Sequence, residues 1–237
     1  MLSKTGVVIK NIPRADKKDI AEFEEYGATT IYEGQGRYGN LDHNIKPVIG
    51  GHRIAGSAVT CLVHPGDNWM IFVAMEMIKP GDILVVASTA PCTDGYFGEL
   101  FANNGTALGL KGVVLDVCAR DAADLKRIGI PVWSRGINSK GTVKETLGSV
   151  NVPVIVGGQL ITPGDTIIAD DDGVTVVPLE RTEHALEGSR KRSKEEDEKR
   201  IKFKQGILGL DVYDMRPKLE EYGLTYYEDL KDYKDSL

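Results

Sequence analysis

Glu99 and the pair Arg120-Asp121 are the side chains of this chain best suited to chemistry. Twenty residues separate Glu99 from Arg120, a glycine precedes the glutamate, and another acid follows at Asp124. Between them the pattern predicts a helix over residues 100–110, punctuation at Gly109 and Gly112, and a strand over 113–118. A helix of about eleven residues rises roughly 16 Å and a strand of about six returns roughly 20 Å, so the segment doubles back on itself. Glu99 and Arg120-Asp121 are thereby expected at one edge of a sheet. Two acids, a guanidinium and a helix N-terminus at such an edge suit a divalent metal and a small carboxylate.

The same residues have a plainer reading. Glu99 in a first helical turn stabilises the helix dipole. Arg120-Asp121 can be an N-cap with a surface arginine, and Asp124 can pair with Lys126 or Arg127 on a helix face. His43, His52, His64 and His184 lack ligand spacing, which disfavours zinc. Lys111, at the mouth of the predicted strand, is the one mild candidate for a Schiff-base lysine, and a solvated strand end explains it as well.

The rest of the chain must hold these groups in place. It has 237 residues, enough for one large domain or one and a half. Its hydrophobic content of 41% and charged content of 27% are those of a soluble globular protein. No apolar run reaches the roughly 18 residues of a membrane span, and the start lacks a secretory pattern, so a cytoplasmic protein is expected. A net charge of −6 without a basic stripe disfavours nucleic-acid binding. Cys61, Cys92 and Cys118 are too scattered for a metal or redox pair, and reduced, mostly buried thiols are expected. Cys92, just before the proposed site, has no histidine with a sequence reason to activate it.

An opening helix is predicted over 16–26, with Asp16 as N-cap and Ile20, Phe23 and Tyr26 on one face. A loop-rich stretch over 34–51 precedes a strand over 55–63 and a helix over 68–78. Pro65-Gly66-Asp67, Pro80-Gly81-Asp82 and Pro163-Gly164-Asp165 each read as a type II turn, the last two leading into strands at 83–87 and 166–169. Asp170-Asp171-Asp172-Gly173 reads as a hairpin connection to a strand at 174–177. The three acids could suggest calcium, but an EF-hand pattern is lacking. Further strands are expected at 132–134 and 152–156. The body is therefore mixed α/β with several strands joined by turns. A charged helix follows over 180–204, then a tail with Leu208, Val212, Tyr213, Leu219 and Leu224, expected to pack on another subunit or back on its own domain. The expected division is 1–178 as the catalytic domain and 179–237 as helix and tail.

The chain resembles the 4-hydroxy-4-methyl-2-oxoglutarate / 4-carboxy-4-hydroxy-2-oxoadipate aldolases, which share a fold with the regulator of ribonuclease activity A. The resemblance covers roughly 53–226. It rests on Gly98-Glu99-Leu100, on Gly112-Val113-Val114 through Arg120-Asp121-Ala122-Ala123-Asp124, and on Pro131-Val132-Trp133-Ser134-Arg135-Gly136. It also rests on Asn151-Val152-Pro153-Val154 through Pro163-Gly164-Asp165, on Ala169-Asp170-Asp171-Asp172-Gly173-Val174, and on Gly209-Leu210-Asp211-Val212-Tyr213.

That resemblance implies an αββα sandwich, like a phosphohistidine-swivelling domain, with a C-terminal helical extension and a homotrimeric or homohexameric assembly. It implies a class II pyruvate aldolase using Mg²⁺ or Mn²⁺ on a small anionic oxo acid. Such enzymes serve bacterial meta-cleavage of aromatic acids, with oxaloacetate decarboxylation as a side activity. Carried over by position, Asp121 is the direct metal ligand, and Arg120 holds the pyruvyl oxygen. Backbone amides of Gly98, Glu99, Leu100 and Phe101 bind the substrate carboxylate. Glu99 stands where many members have aspartate, reaching metal-bound water with one methylene more. Asp124 lies close by, and Glu196, within Glu195-Glu196-Asp197-Glu198, is the acid from a neighbouring subunit. Substituents at C4 would be sensed by loops, with 37–44 and 135–140 as candidates. The competing class is a non-catalytic regulator that binds a ribonuclease, and the tail from about Arg190 favours the aldolase branch.

Overall fold

The computed structural model describes residues 5–237. In chain order the first half contains β1 (Val7–Val8), α1 (Lys17–Gly34), β2 (Lys46–Pro47), β3 (Ile54–Val63), α2 (Trp69–Met75), β4 (Ile83–Ser88), β5 (Gly95–Phe97), α3 (Glu99–Ala107) and β6 (Gly112–Ala119). There follow α4 (Ala122–Ile128), β7 (Val132–Ile137), β8 (Ser149–Val150), β9 (Val154–Val156), β10 (Gln159–Ile161), β11 (Thr166–Ala169), β12 (Val174–Val177) and α5 (Thr182–Lys204). The chain ends with α6 (Gly209–Val212), α7 (Arg216–Glu221) and α8 (Leu230–Asp235).

The centre is a parallel run, β3-β4-β6-β7, with α2, α3 and α4 lying on the connections between its strands. These strands read as almost continuous apolar runs because both faces are covered. Alternate residues go to opposite cores: Leu84 and Val86 meet Met70, Ile71, Phe101, Ala102 and Leu125 of the helices, whereas Ile83 and Val85 meet Ile167, Ala169, Val174 and Val176 of β11 and β12. A third core, with Phe23 and Ile31 of α1 and Ala185 and Leu186 of α5, covers the far side of that second β layer at Ile168 and Val177. The layers therefore run helix, sheet, sheet, helix. Strand β3 joins the two sheets, its first residues antiparallel to β11 and its last parallel to β4.

Several local expectations hold. Each Pro-Gly-Asp is a closed turn, with the aspartate N–H donating to the carbonyl of His64, Lys79 or Thr162 at 3.0–3.1 Å. Its glycine is at φ +74°, +96° or +95°, as a type II turn requires. β11 and β12 form the expected hairpin. The three acids after β11 serve as acceptors: Asp170 takes the N–H of Ala28 at 2.9 Å, Asp171 that of Gly51 at 2.8 Å, and Asp172 the Thr29 hydroxyl at 3.3 Å.

Others are corrected. The first helix continues beyond residue 26 to Gly34 through a kink at Gly27, where φ is +79°. Glycine permits that bend, and the Asp170 carboxylate then caps the second half of α1. Asp16 occupies the N-cap position without making a side-chain cap bond. Helical crossovers dominate the central sheet, while turns join β9 to β10 and β11 to β12. The boundary between two compact units falls at Arg192/Ser193; the first turns of α5 place Ala185 and Leu186 in the third core and bury Ser189.

The unit 193–237 is held by small contacts of its own. Phe203 and Tyr213 pack with ring centres 6.2 Å apart, and Asp229 caps α8 by accepting from Lys231 and Asp232. Leu208, Met215 and Leu224 of the tail are exposed in the single chain.

Candidate active site

The site lies where β5 and β6 end side by side. The Arg120 N–H donates to the Phe97 carbonyl at 2.9 Å, which seats Gly98 beside Arg120-Asp121. Gly98 is the N-cap of α3, and the first bond of that helix is Ala102 N–H to Gly98 O at 3.0 Å. The N–H groups of Glu99, Leu100 and Phe101 thus have no acceptor within the helix. Asp121 takes one of them, with Oδ2 accepting from Glu99 N–H at 3.1 Å. The same oxygen lies 3.4 Å from Arg120 Nε.

Asp121 sits in the left-handed region, at φ 56° and ψ 42°. An aspartate there costs of order 1–2 kcal/mol and persists only where the surroundings fix it. As the N-cap of α4 it makes no side-chain cap bond, so the plainer reading does not explain its conformation. Its carboxylate is turned back toward α3. A Cβ on Gly98 would stand 2.3 Å from Asp121 Oδ2 and 2.8 Å from Arg120 Cγ, so glycine is what lets the three residues meet.

A cavity of about 260 Å³ opens beside this corner, lined by Gly98, Leu100, Phe101, Asn104 and Arg120 together with Asn68, Phe72, Tyr96 and Lys144. Phe101 packs against Phe72 and Phe97 with ring centres 4.5 and 5.7 Å away, forming the apolar wall. Asn68 donates from Nδ2 to the Tyr96 carbonyl at 3.0 Å, while its buried Oδ1 has no partner among the described residues. The Tyr96 hydroxyl donates to His64 O at 2.8 Å and accepts from Gly66 N–H at 2.6 Å. Burial, with Cys92 beside it, pushes that hydroxyl's pKa well above its ordinary range.

Gly98, Leu100, Phe101, Arg120 and Asp121 are thus brought together. The Glu99 carboxylate instead accepts from the Asn103 amide, one turn along α3. Asp124 pairs with Arg127 at 2.7 Å on an exposed face of α4, so it follows the plainer reading. Glu196 lies on α5 within the 193–237 unit and borders a surface cavity there with Lys199, Arg200, Phe203 and Tyr213. Lys111 precedes β6 while Arg120 follows it, so the strand separates them by roughly 25 Å. It is engaged by Glu24 at 2.7 Å. Cys61 and Cys118 are buried free thiols raised in pKa by that burial, and Cys92 is half-buried.

The loops 37–44 and 135–140 do not line this cavity. Arg135 is drawn away by Asp116 and Asp42, and Lys140 by Asp94. The segment that does reach the cavity is 143–146. Its Val143 N–H donates to Gly66 O at 2.8 Å, and the N–H groups of Glu145 and Thr146 donate to Asp67 Oδ2 at 2.6 and 2.7 Å. Neither Lys144 nor Asn68 carries a local sequence signal. The first Pro-Gly-Asp was a clue to the second's neighbourhood, since its aspartate is a buried acceptor.

No group of three or more histidine, cysteine or acidic side chains with metal-holding geometry occurs among the described residues. A hard cation with one direct carboxylate ligand does not need such a group, because magnesium keeps several waters. The contacts from Glu99 N–H and Arg120 Nε both fall on Asp121 Oδ2, which leaves Oδ1 for a cation, and glycine at position 98 adds no Cβ against that carboxylate. The residues present therefore fit the group. No helix among the described residues is long and apolar enough to cross a membrane.

Residues 28–176 match the RraA-like family described as Aldolase/RraA, and the chain belongs to it. A Halalkalibacterium halodurans protein named "Putative 4-hydroxy-4-methyl-2-oxoglutarate aldolase" is 30% identical over 194 residues, 82% of this chain and 92% of that protein. A Burkholderia multivorans protein of the same name is 37% identical over 140 residues, 57% of this chain and 82% of its own. Among solved structures, Streptomyces coelicolor RraAS2, described as an unusual member of the RNase ES inhibitor RraA family, superposes with a TM-score of 0.73 at 25% identity, covering 81% of this chain and all of that one.

Proposed function

We propose that this protein is a class II pyruvate aldolase. It cleaves 4-carboxy-4-hydroxy-2-oxoadipate to pyruvate and oxaloacetate, or 4-hydroxy-4-methyl-2-oxoglutarate to two pyruvates, and decarboxylates oxaloacetate as a side reaction. The observation that carries this reading is the left-handed Asp121, its carboxylate fixed against Arg120 and the start of α3 beside a small cavity.

Loss of the 4-hydroxyl proton and cleavage of the C3–C4 bond turn C4 into a carbonyl and leave the enolate of pyruvate, which takes a proton at C3 to give pyruvate, so the barrier is mainly the cost of the enolate's negative charge. Arg120 supplies a fixed, always-charged donor at the 2-oxo oxygen. Losing one such preorganised donor typically costs about 3 kcal/mol in the transition state. The N–H groups of Leu100 and Phe101, at the positive end of α3, take the adjoining carboxylate. Phe72 and Phe101 keep water from that half of the substrate. Asp121 would hold Mg²⁺ or Mn²⁺ through its remaining oxygen. When bound, that cation supplies further positive charge to the 2-oxo oxygen and lowers the pKa of the water it carries. Decarboxylation of oxaloacetate passes through the same enolate and calls on the same groups.

The test is pyruvate release from both oxo acids with and without EDTA. The expected result is turnover that EDTA removes and Mg²⁺ restores. Turnover that survives EDTA would refute the metal-dependent reading.

A ribonuclease-binding role is the second reading, supported by the likeness to RraAS2. Its test is inhibition of a ribonuclease E-type enzyme by the purified protein. Inhibition together with no pyruvate release from either acid would favour it over the aldolase.

A further inference from the structure

We infer that Lys144 is the second cationic anchor of the cavity, taking the carboxylate of the substrate remote from the 2-oxo group, and that buried Asp67 is the positioning residue that sets it there. The inference rests on the aldolase reading and names how that site tells a dicarboxylate from a monocarboxylate.

Arg120 and Lys144 are the two cationic side chains that line the cavity, and the Phe72 ring lies beside the lysine, with Nζ 5.6 Å from the ring centre. If Arg120 and the start of α3 hold the 2-oxo acid end, a second carboxylate meets Lys144. The phenyl face holds the ammonium in place without neutralising it, so its charge stays available.

Lys144 sits on a loop whose own sequence would not fix it. What fixes it is the turn at 64–67. Asp67, 2% exposed, accepts from Glu145 and Thr146 N–H with Oδ2 and from Trp69 N–H with Oδ1 at 2.8 Å. Asn68 N–H also donates to Val143 O at 3.1 Å. One carboxylate therefore ties the start of α2, which carries Phe72, to the loop that carries Lys144. An asparagine at position 67 keeps the size but loses one of the two acceptor oxygens.

The test measures binding calorimetrically, with Mg²⁺ present, for two unreactive 2-oxo acids. 2-Oxoglutarate has a remote carboxylate and 2-oxobutyrate lacks one. The quantity read is the ratio of their Kd values. Lys144→Met, at an exposed position, is expected to cut the preference for 2-oxoglutarate by about tenfold to a hundredfold, the worth of one charge-assisted contact. Lys144→Arg is expected to restore most of it. Asp67→Asn is expected to move the ratio the same way, and the double variant to lose no more than Lys144→Met alone, since positioning matters only while the lysine is present. Losses that multiply in the double variant would make Asp67 merely structural and overturn its assignment. A ratio untouched by Lys144→Met, in a protein that binds both acids, overturns the inference and leaves the aldolase reading standing. A wild-type protein that binds neither acid overturns both.

Discussion

Gly98→Ala isolates the geometry of the proposed site from backbone effects. Position 98 is extended, at φ −144° and ψ −161°, so alanine adopts it without strain. The added Cβ, however, stands 2.3 Å from Asp121 Oδ2, where ordinary contact begins near 3.4 Å, so the carboxylate must retreat by about 1 Å. The retreat breaks the 3.1 Å bond from Glu99 N–H, and the 2.8 Å approach to Arg120 Cγ pushes the guanidinium in the same event. A misplacement of about 1 Å at a reacting centre is worth roughly a hundredfold in rate, or about 2.7 kcal/mol of barrier. The cost in stability is smaller, about 1 kcal/mol, because the Asp121 side chain is 38% exposed and can move outward. The assay couples pyruvate release to NADH oxidation by lactate dehydrogenase, with the melting temperature measured in parallel. A folded Gly98→Ala protein with kcat/KM within about threefold of wild type would refute the claim that Asp121 and Arg120 act from these positions.

Three further outcomes follow from the same contacts. Asp121→Asn keeps an acceptor for Glu99 N–H and tolerates the left-handed backbone, so it should melt with wild type yet lose at least about a hundredfold in Mg²⁺-dependent turnover; retained turnover would remove Asp121 from the mechanism. For Asp67, burial raises the pKa, but the N–H donors of Trp69, Glu145 and Thr146 outweigh it and hold the carboxyl below its ordinary value. A depressed folded pKa gives stability that is full above the unfolded value near 3.9 and is lost as pH falls through the folded one. Denaturant titrations below about pH 4 should therefore show a shallower acid loss for Asp67→Asn, and parallel curves would count against it. Asp170→Ala should cost about 1–2 kcal/mol in urea by uncapping the second half of α1, and no measurable loss would mean that Ala28 N–H finds another acceptor.

Much of the scaffold was legible because its signals are local. Pro-Gly-Asp sets a turn through proline's fixed φ and glycine's positive one, and the three tripeptides form as read. The Glu99 to Arg120 spacing folds back as the rise of helix and strand requires. What was missed depends on contacts across long sequence separations. Gly27 looks like a helix end until Asp170, distant in sequence, caps the chain beyond it. Ala185 and Leu186 look like part of a solvated charged helix until α1 and β12 present an apolar face to them.

The site divides along the same line, and the division follows from how a parallel sheet builds a cleft. Strands β5 and β6 bring Gly98 and Arg120-Asp121 to one edge, so two segments adjacent in the sheet are already coupled through a short stretch of sequence. The cavity's opposite wall comes from α2 and from the 143–146 loop, which share no periodicity with that pair and meet it through tertiary bonds. Half of the cleft is thus encoded by spacing and half by a buried carboxylate that joins two connections. On the proposed reading, substrate discrimination falls to the second half. On the proposed aldolase reading, the corner at Arg120-Asp121 must keep a geometry fixed to fractions of an ångström, whereas a loop held by Asp67 can change its side chains without disturbing that corner.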